Sequence, residues 1–154
     1  MTAVLQRVSE ASVKADGTES GKIGQGLLIL LGVRRGDDEC DARLLAAKIA
    51  KLRIFSDENG KMNLSVNDRN GGALVVSNFT LCANYAHGNR PDYFEAADPR
   101  DAEPLYHCFI RALRESVSDV QCGIFGADMQ INMVADGPVT IVMESAILRK
   151  GNKK

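Results

Sequence analysis

The chain is short of the residues from which most hydrolytic centres are built. It has two histidines, His87 and His107, and four cysteines, Cys40, Cys82, Cys108 and Cys122, in 154 residues. No Cys-x-x-Cys pair occurs, so zinc-type spacing is absent and the cysteines are expected to be buried free thiols. Of the four, Cys82 needs separate attention because it sits in a segment singled out below. No apolar run reaches the ~18 residues of a membrane span. The start, Met1-Thr2-Ala3-Val4, lacks the charged head and apolar core of a secretory signal, and a cytoplasmic protein is the expectation. A basic excess is also missing: 19 Lys and Arg against 20 Asp and Glu leave a net charge of −1. That disfavours a protein that grips long nucleic acid through many phosphates. There is no internal repeat, low-complexity stretch or interdomain linker.

What is present suits one domain with a real core, with 45% hydrophobic and 25% charged residues. Residues 3–15 read as a strand closed by the turn signal Asp16-Gly17. Residues 22–33 contain Leu27-Leu28-Ile29-Leu30-Leu31, too continuous for a half-exposed strand, and predict a central strand buried on both faces. Asp37-Asp38-Glu39 opens a helix whose Ala42, Leu45, Ala46, Ile49 and Leu52 recur at helical spacing. Lys48, Lys51 and Arg53 close it, matching the helix dipole. Asn59-Gly60 predicts a hairpin running on through Met62, Leu64 and Val66. Residues 73–77 form another buried strand, and residues 84–100 a long aperiodic loop. A second helix is expected over 101–117, capped by Asp101, so that Pro104 falls in the permissive first turn rather than deep inside a helix begun at Pro99. Residues 130–143 read as two strands flanking Gly137-Pro138. The pattern gives an α/β domain: one mixed sheet packed by two helices on one face.

Four places could carry chemistry. Asp136-Gly137-Pro138-Val139-Thr140 is either a plain turn or a cis Gly-Pro whose neighbouring carbonyls face one side and accept an ammonium group. Ser77-Asn78-Phe79-Thr80-Leu81-Cys82-Ala83 is either a strand end satisfied by its own polar side chains or a site. In the second case the amides near Phe79 and Thr80 bind an oxyanion. Thr80 has no neighbouring base, which makes it a positioning group before a nucleophile. The loop His87-Gly88-Asn89-Arg90-Pro91-Asp92-Tyr93-Phe94 interleaves basic and aromatic residues in a way that suits an RNA end. Arg7, between Leu5 and Val8, is either a solvent-facing edge residue or an internal fork pinning carbonyls near Gly137.

At these residues the chain resembles the D-aminoacyl-tRNA deacylases. That family's Ser-Gln-x-x-Leu-x-Ala and Asn-x-Gly-Pro-Val-Thr segments correspond here to residues 77–83 and 135–140. The likeness continues through Leu5-Gln6-Arg7-Val8, Ala11-Ser12-Val13, Gly26-Leu27-Leu28, Arg53-Ile54-Phe55-Ser56-Asp57, Gly60-Lys61-Met62-Asn63-Leu64 and Ala127-Asp128-Met129. Two positions depart from it: Asn78 stands for Gln, and Ala135 for Asn.

The resemblance implies a mostly antiparallel, barrel-like sheet with two main helices. It implies a deacylase domain over 1–148, followed by a basic flexible tail over 149–154. The expected activity is a carboxylic ester hydrolase of translation quality control. It releases D-amino acids from tRNA, and glycine mischarged on tRNA-Ala, while rejecting L-aminoacyl-tRNA. Ser77, Asn78, Phe79, Thr80, Gly137 and Pro138 would be the catalytic set, and Arg7, Leu81, Met129 and Arg90 would bind substrate. The partners implied are the aminoacylated 3′ end of tRNA and a second copy of the chain, into whose site the cis Gly-Pro reaches. Lys61 and the Lys153-Lys154 tail are further candidates for RNA contact, and neither cofactor nor metal is expected. The alternatives are a deacylase of relaxed chirality and a non-enzymatic nucleic-acid-binding module on the same fold.

Overall fold

The apolar run at 26–33 becomes the strand on which the fold is built. The computed structural model describes residues 1–151. Its strands are β1 (Thr2–Ala15), β2 (Thr18–Ile23), β3 (Gly26–Gly32), β4 (Phe55–Ser56), β5 (Met62–Leu64), β6 (Gly72–Ser77), β7 (Val120–Cys122) and β8 (Met129–Glu144). The helices are α1 (Glu39–Ala50), α2 (Pro99–Arg114) and α3 (Ser145–Gly151), with a 3-10 turn at Phe79–Cys82. β3 pairs antiparallel with β1 and parallel with β6, and β6 pairs parallel with β7. β1 is long enough to pair with β3 through its first half and β2 through its second, while β8 runs along its whole other edge. β2 also approaches β6 and β7, so the sheet curls into a nearly closed barrel. β4 and β5 form a separate hairpin around Gly60, whose φ of +75° is one that glycine adopts without strain.

Alternation along β3 and β6 explains why both read as unbroken apolar runs. Leu27, Ile29 and Leu31 with Ala73 and Val75 face the helices, where they meet Leu45, Ile49, Tyr106, Phe109 and Leu113. Leu28, Leu74 and Val76 face inward and fill the barrel with Val8, Val13 and Ile23. Burial on both faces is the usual condition of strands covered on each side. The two strands start close together: a Cβ on Gly26 would lie 1.9 Å from the carbonyl oxygen of Gly72, so no larger residue fits there.

Three elements differ from their sequence reading. α2 begins at Pro99, capped by Asp98, whose carboxylate accepts from the Arg100 N–H at 3.0 Å. Pro104 therefore lies inside the helix; it and Arg100 are both exposed, so water can serve the carbonyl that the proline leaves unpaired. β8 is one continuous strand through Gly137-Pro138, because β1 is long enough to pair on both sides of that dipeptide.

The third difference concerns the chain end. The boundary read at 148 falls inside α3, and Arg149 is no tail residue, since its guanidinium binds Asp41 at 2.7 and 2.8 Å and also Asp38. Residues 152–154, including the Lys153-Lys154 candidates, lie outside the described residues. Among the described residues no helix is long and apolar enough to cross a membrane.

Asp38 and Asp41 also build the capping box of α1: Asp38 accepts from the amides of Cys40 and Asp41, and Asp41 accepts from that of Asp38. Arg149 and these amides hold Asp38 below the ordinary carboxylate range. Burial pushes Asp41 upward, but the Asp38 amide, Arg149 and Ser145 outweigh it and leave it lowered. Groups lowered by folding stabilise the fold above their unfolded value and lose that contribution as pH falls through the folded one. Arg149→Ala is therefore expected to lower Tm at pH 7 by roughly 2–4 °C. In thermal scans across pH, that difference should begin to shrink near pH ~3.9, the unfolded carboxylate value, and close as pH falls through the lower folded values.

Candidate active site

β6 delivers Ser77 half-buried to the edge of the sheet, and the chain turns there immediately. The Asn78 N–H donates to the Leu31 carbonyl at 2.8 Å, tying the end of β6 to β3. The Asn78 side chain then folds over its own turn, with Oδ1 accepting from the Thr80 N–H at 3.1 Å and also from the Thr80 hydroxyl. A short amide is suited to this local capping, whereas a glutamine would carry its amide one methylene farther out. The turn rests on Gly32, where an added Cβ would sit 3.0 Å from the Asn78 carbonyl oxygen.

Two amides of this turn were expected to face an oxyanion. That of Thr80 is already engaged by Asn78, while that of Phe79, first in the turn, has no partner within it. The Thr80 hydroxyl donates to a neutral amide, which leaves it unactivated as a nucleophile. Phe79 is 60% exposed and meets Tyr93 edge to face at 5.0 Å. Cys82 is buried and its thiol donates to the Val33 carbonyl. Burial pushes that thiol above its ordinary value, so it is a protonated packing group under the turn. Cys40 departs from the expectation of buried thiols, being exposed on the first turn of α1.

The second segment is a large bulge. Gln6 opposes Thr140 and Val8 opposes Ala135, so residues 136–139 face Arg7 alone and lie outside the ladder. Arg7 takes the internal arrangement of its two readings. Its Nε donates to the Asp136 carbonyl and pairs with the Asp136 carboxylate, both at 3.0 Å, while NH1 donates to the Ile54 carbonyl at 2.7 Å. The Gly137-Pro138 bond is cis, and a Cβ on Gly137 would lie 2.1 Å from the Val139 nitrogen. Both residues are exposed. Thr140 closes the bulge with a hydroxyl donated to Gln6 Oε1 at 3.0 Å.

Within one copy of the chain these two segments stand apart. Ser77 lies level with Leu31, Ala3 and Met143, whereas the bulge lies level with Arg7, Leu27 and Ala73. Three strand spacings and four residues along the strands separate them, roughly 20 Å over the sheet surface. Leu81 sits half-buried in the first segment. Met129 lies at the far end of β8, opposite Ala15, and its sulfur packs on Gly123, whose N–H donates to the Val75 carbonyl two residues before Ser77. Arg90 and His87 are exposed on the loop beyond the 3-10 turn. Lys61 lies in the β4–β5 hairpin.

Sequence reasoning missed Tyr106, whose hydroxyl donates to the carbonyls of Val75 and Gly123 at 3.0 and 3.3 Å. It pins the end of β6 to the segment after β7, and burial pushes its phenol well above the ordinary range. The available signal was a tyrosine on the apolar face of an amphipathic helix, where a buried hydroxyl must find acceptors. Among the described residues no three His, Cys, Asp or Glu side chains gather into a metal-binding group. What the geometry offers is a free amide, a capped hydroxyl and an exposed bulge of backbone carbonyls.

The comparisons with known proteins agree on the relationship. A protein described as D-aminoacyl-tRNA deacylase from Thermomicrobium roseum is 55% identical over 152 residues, covering 99% of both chains. One of the same description from Anaeromyxobacter dehalogenans is 53% identical and covers 94% of this chain and 97% of its own. Among solved structures, a c-Myc DNA Unwinding Element Binding Protein superposes with a TM-score of 0.88 at 40% identity, covering 94% of this chain and 98% of that one. A structure described as a probable eukaryotic D-amino acid tRNA deacylase shares the fold, with a TM-score of 0.79 at 15% identity and coverage of 94% and 100%. The model of the D-Tyr-tRNA(Tyr) deacylase family matches residues 4–144, and the chain belongs to that family.

Proposed function

We propose that this chain hydrolyses the ester joining a D-amino acid to the 3′ end of tRNA, in the cytoplasm where charged tRNA is used. It works as a homodimer in which the Gly137-Pro138 bulge of one copy faces the Ser77–Thr80 turn of the other. The observation that carries this reading is the separation of the two segments on a single protomer, about 20 Å across the sheet. A second copy supplies what one copy lacks. β8 favours such pairing, because among the described residues it joins only β1 and leaves its other edge open. Val134 and Val142 on it are 51% and 64% exposed. A two-fold axis would bring each bulge to the opposite turn.

The chemistry then follows from backbone groups. The ester carbonyl oxygen lies against the Phe79 N–H, which strengthens its hold as negative charge develops there. Carbonyls of Gly137 and Pro138, unpartnered in β1, accept the substrate ammonium and leave no room for an L side chain. Water adds to the carbonyl carbon, the bond to the ribose oxygen breaks, and the proton passes to that oxygen, with the neighbouring 2′-hydroxyl assisting. Glycine has no side chain to exclude and passes the filter, which extends the substrate range to glycine mischarged on tRNA-Ala. Exclusion by clash discriminates more strongly than one missing contact. Arg7 fixes the bulge and contributes to the filter through it.

A non-enzymatic nucleic-acid-binding role is favoured by the name of the DNA Unwinding Element Binding Protein alone, and the net charge of −1 counts against it. Steeply salt-dependent duplex binding without esterase activity would support that role.

Deacylation of paired D- and L-tyrosyl-tRNA should be rapid for the D form and negligible for the L form. Equal rates would remove the chiral filter, and release from L-alanyl-tRNA would indicate relaxed chirality. In the same assay Thr80→Ala should lose only a few-fold in kcat/KM, because its hydroxyl is spent on Asn78; a loss of ~10⁴-fold would make Thr80 the nucleophile. Val142→Asp should turn the dimer into monomer in sedimentation and abolish turnover together. A fully active monomer contradicts the shared site.

A further inference from the structure

We propose that the face running from Tyr85 and Phe94 to the cleft between Arg35 and Arg100 is the track for the RNA strand upstream of the esterified nucleotide. Bases stack on the two aromatic rings and phosphates lie against the guanidinium groups. The proposal rests on the deacylase reading and deepens it, since that reading accounts for the terminal nucleotide alone.

Tyr85 and Phe94 are 80% and 74% exposed, in a chain with only eight Phe and Tyr residues together. No core contact accounts for rings so fully in water. They are carried on a braced loop. Asn84 and Asp92 exchange backbone hydrogen bonds at 2.9 Å, the Asn84 amide donates to the Asp92 carboxylate at 3.0 Å, and that carboxylate accepts from the Phe94 N–H at 3.2 Å. The Phe79–Tyr93 contact joins the loop to the catalytic turn. An exposed ring held still beside a site that takes an RNA end is a stacking platform, tolerant of base identity.

The same segment leads into a cleft of about 590 Å³ lined by the residues after β3 and the start of α2. Backbone contacts tie the two together: Arg34 bridges to Ala96, and the Arg35 N–H donates to the Glu95 carbonyl at 2.9 Å. Arg35 uses Nε on the Ala96 carbonyl and keeps its terminal N–H groups for a ligand, while the Arg100 side chain has no partner among the described residues. Arg34 is turned inward to Thr2. Three aspartates share the wall: Asp37 pairs with the N-terminal ammonium at 2.5 Å and accepts from the Arg34 N–H at 2.6 Å, and Asp98 accepts from the Arg100 N–H at 3.0 Å. Asp101 and Glu95 remain as acids at the rim. Three arginines and three aspartates line the cleft, so its net charge is near zero, and the N–H donors of Arg35 and Arg100 suit one or two phosphates, in keeping with the chain's lack of a basic excess. Their pairing with exposed rings favours RNA over a second copy of the chain as occupant.

The test compares D-tyrosyl-tRNA with D-tyrosyl-adenosine, which carries no upstream strand, using the full chain. For Arg35→Gln/Arg100→Gln and for Tyr85→Ser/Phe94→Ser, the advantage of tRNA over the adenosine ester in kcat/KM should fall about tenfold or more, with the loss in KM. The arginine pair should also flatten the dependence of log kcat/KM on log salt by about 1.4. Lys48→Gln/Lys51→Gln, in the separate cleft between α1 and α3, should leave both values in place. An undiminished tRNA advantage in the first two pairs overturns the track. So does a loss that appears instead in the lysine pair, or conversion of the aromatic pair to monomer. A wild-type chain that cleaves neither ester takes the deacylase reading down with it, whereas the other outcomes leave that reading standing.

Discussion

Four residues of β8 face a single residue of β1, and Arg7 is that residue. The surplus backbone has to leave the ladder, and the guanidinium decides how. One nitrogen holds the Asp136 carbonyl, another the Ile54 carbonyl, and the Asp136 carboxylate pairs with the same fork. A planar donor array can fix two carbonyls from different parts of the chain at once, which an ammonium on a flexible stem does less well. On this clamp depends the outward presentation of Gly137-Pro138, and with it any role of the bulge in choosing a substrate.

The opposite segment is held by equally plain means. β3 and β6 are buried on both faces, Tyr106 fixes the end of β6 from below, and Asn78 caps the turn that follows. Rigid strands end at a turn with one unspent amide, and rigid strands carry the bulge. In the proposed function, a site assembled from such parts selects by geometry. The proposed site needs both parts in one place, and in one copy they lie about 20 Å apart over the sheet.

Much of this was legible in the sequence for identifiable reasons. The Leu27–Leu31 run had one physical solution, a strand covered on both sides, and Asp37-Asp38-Glu39 announced the start of α1. Arg7 flanked by Leu5 and Val8 left two readings open, a solvent-facing edge residue or an internal fork near Gly137, and the fold takes the second while adding the Ile54 carbonyl. Other features depended on contacts no local pattern carries. Pro104 argued for a later helix start, yet an exposed position on the outer face tolerates the lost hydrogen bond. Arg149 looked like tail until α3 placed it across from two aspartates more than a hundred residues earlier. Asn78 read as a shortened glutamine, and only the turn geometry showed it to be a cap.

In the proposed function each catalytic centre draws on two copies of the chain. Phe79→Pro deletes the free amide of the turn, and Gly137→Ala forces the bulge to rearrange against the Val139 nitrogen. Each variant alone should be nearly inactive on D-tyrosyl-tRNA. Co-refolding the two in equal amounts places an intact turn opposite an intact bulge in every mixed dimer. Activity should recover to about a quarter of the wild-type value, from random pairing with one working site per mixed dimer. Mixed dimers that form and stay as inactive as their parents would contradict it.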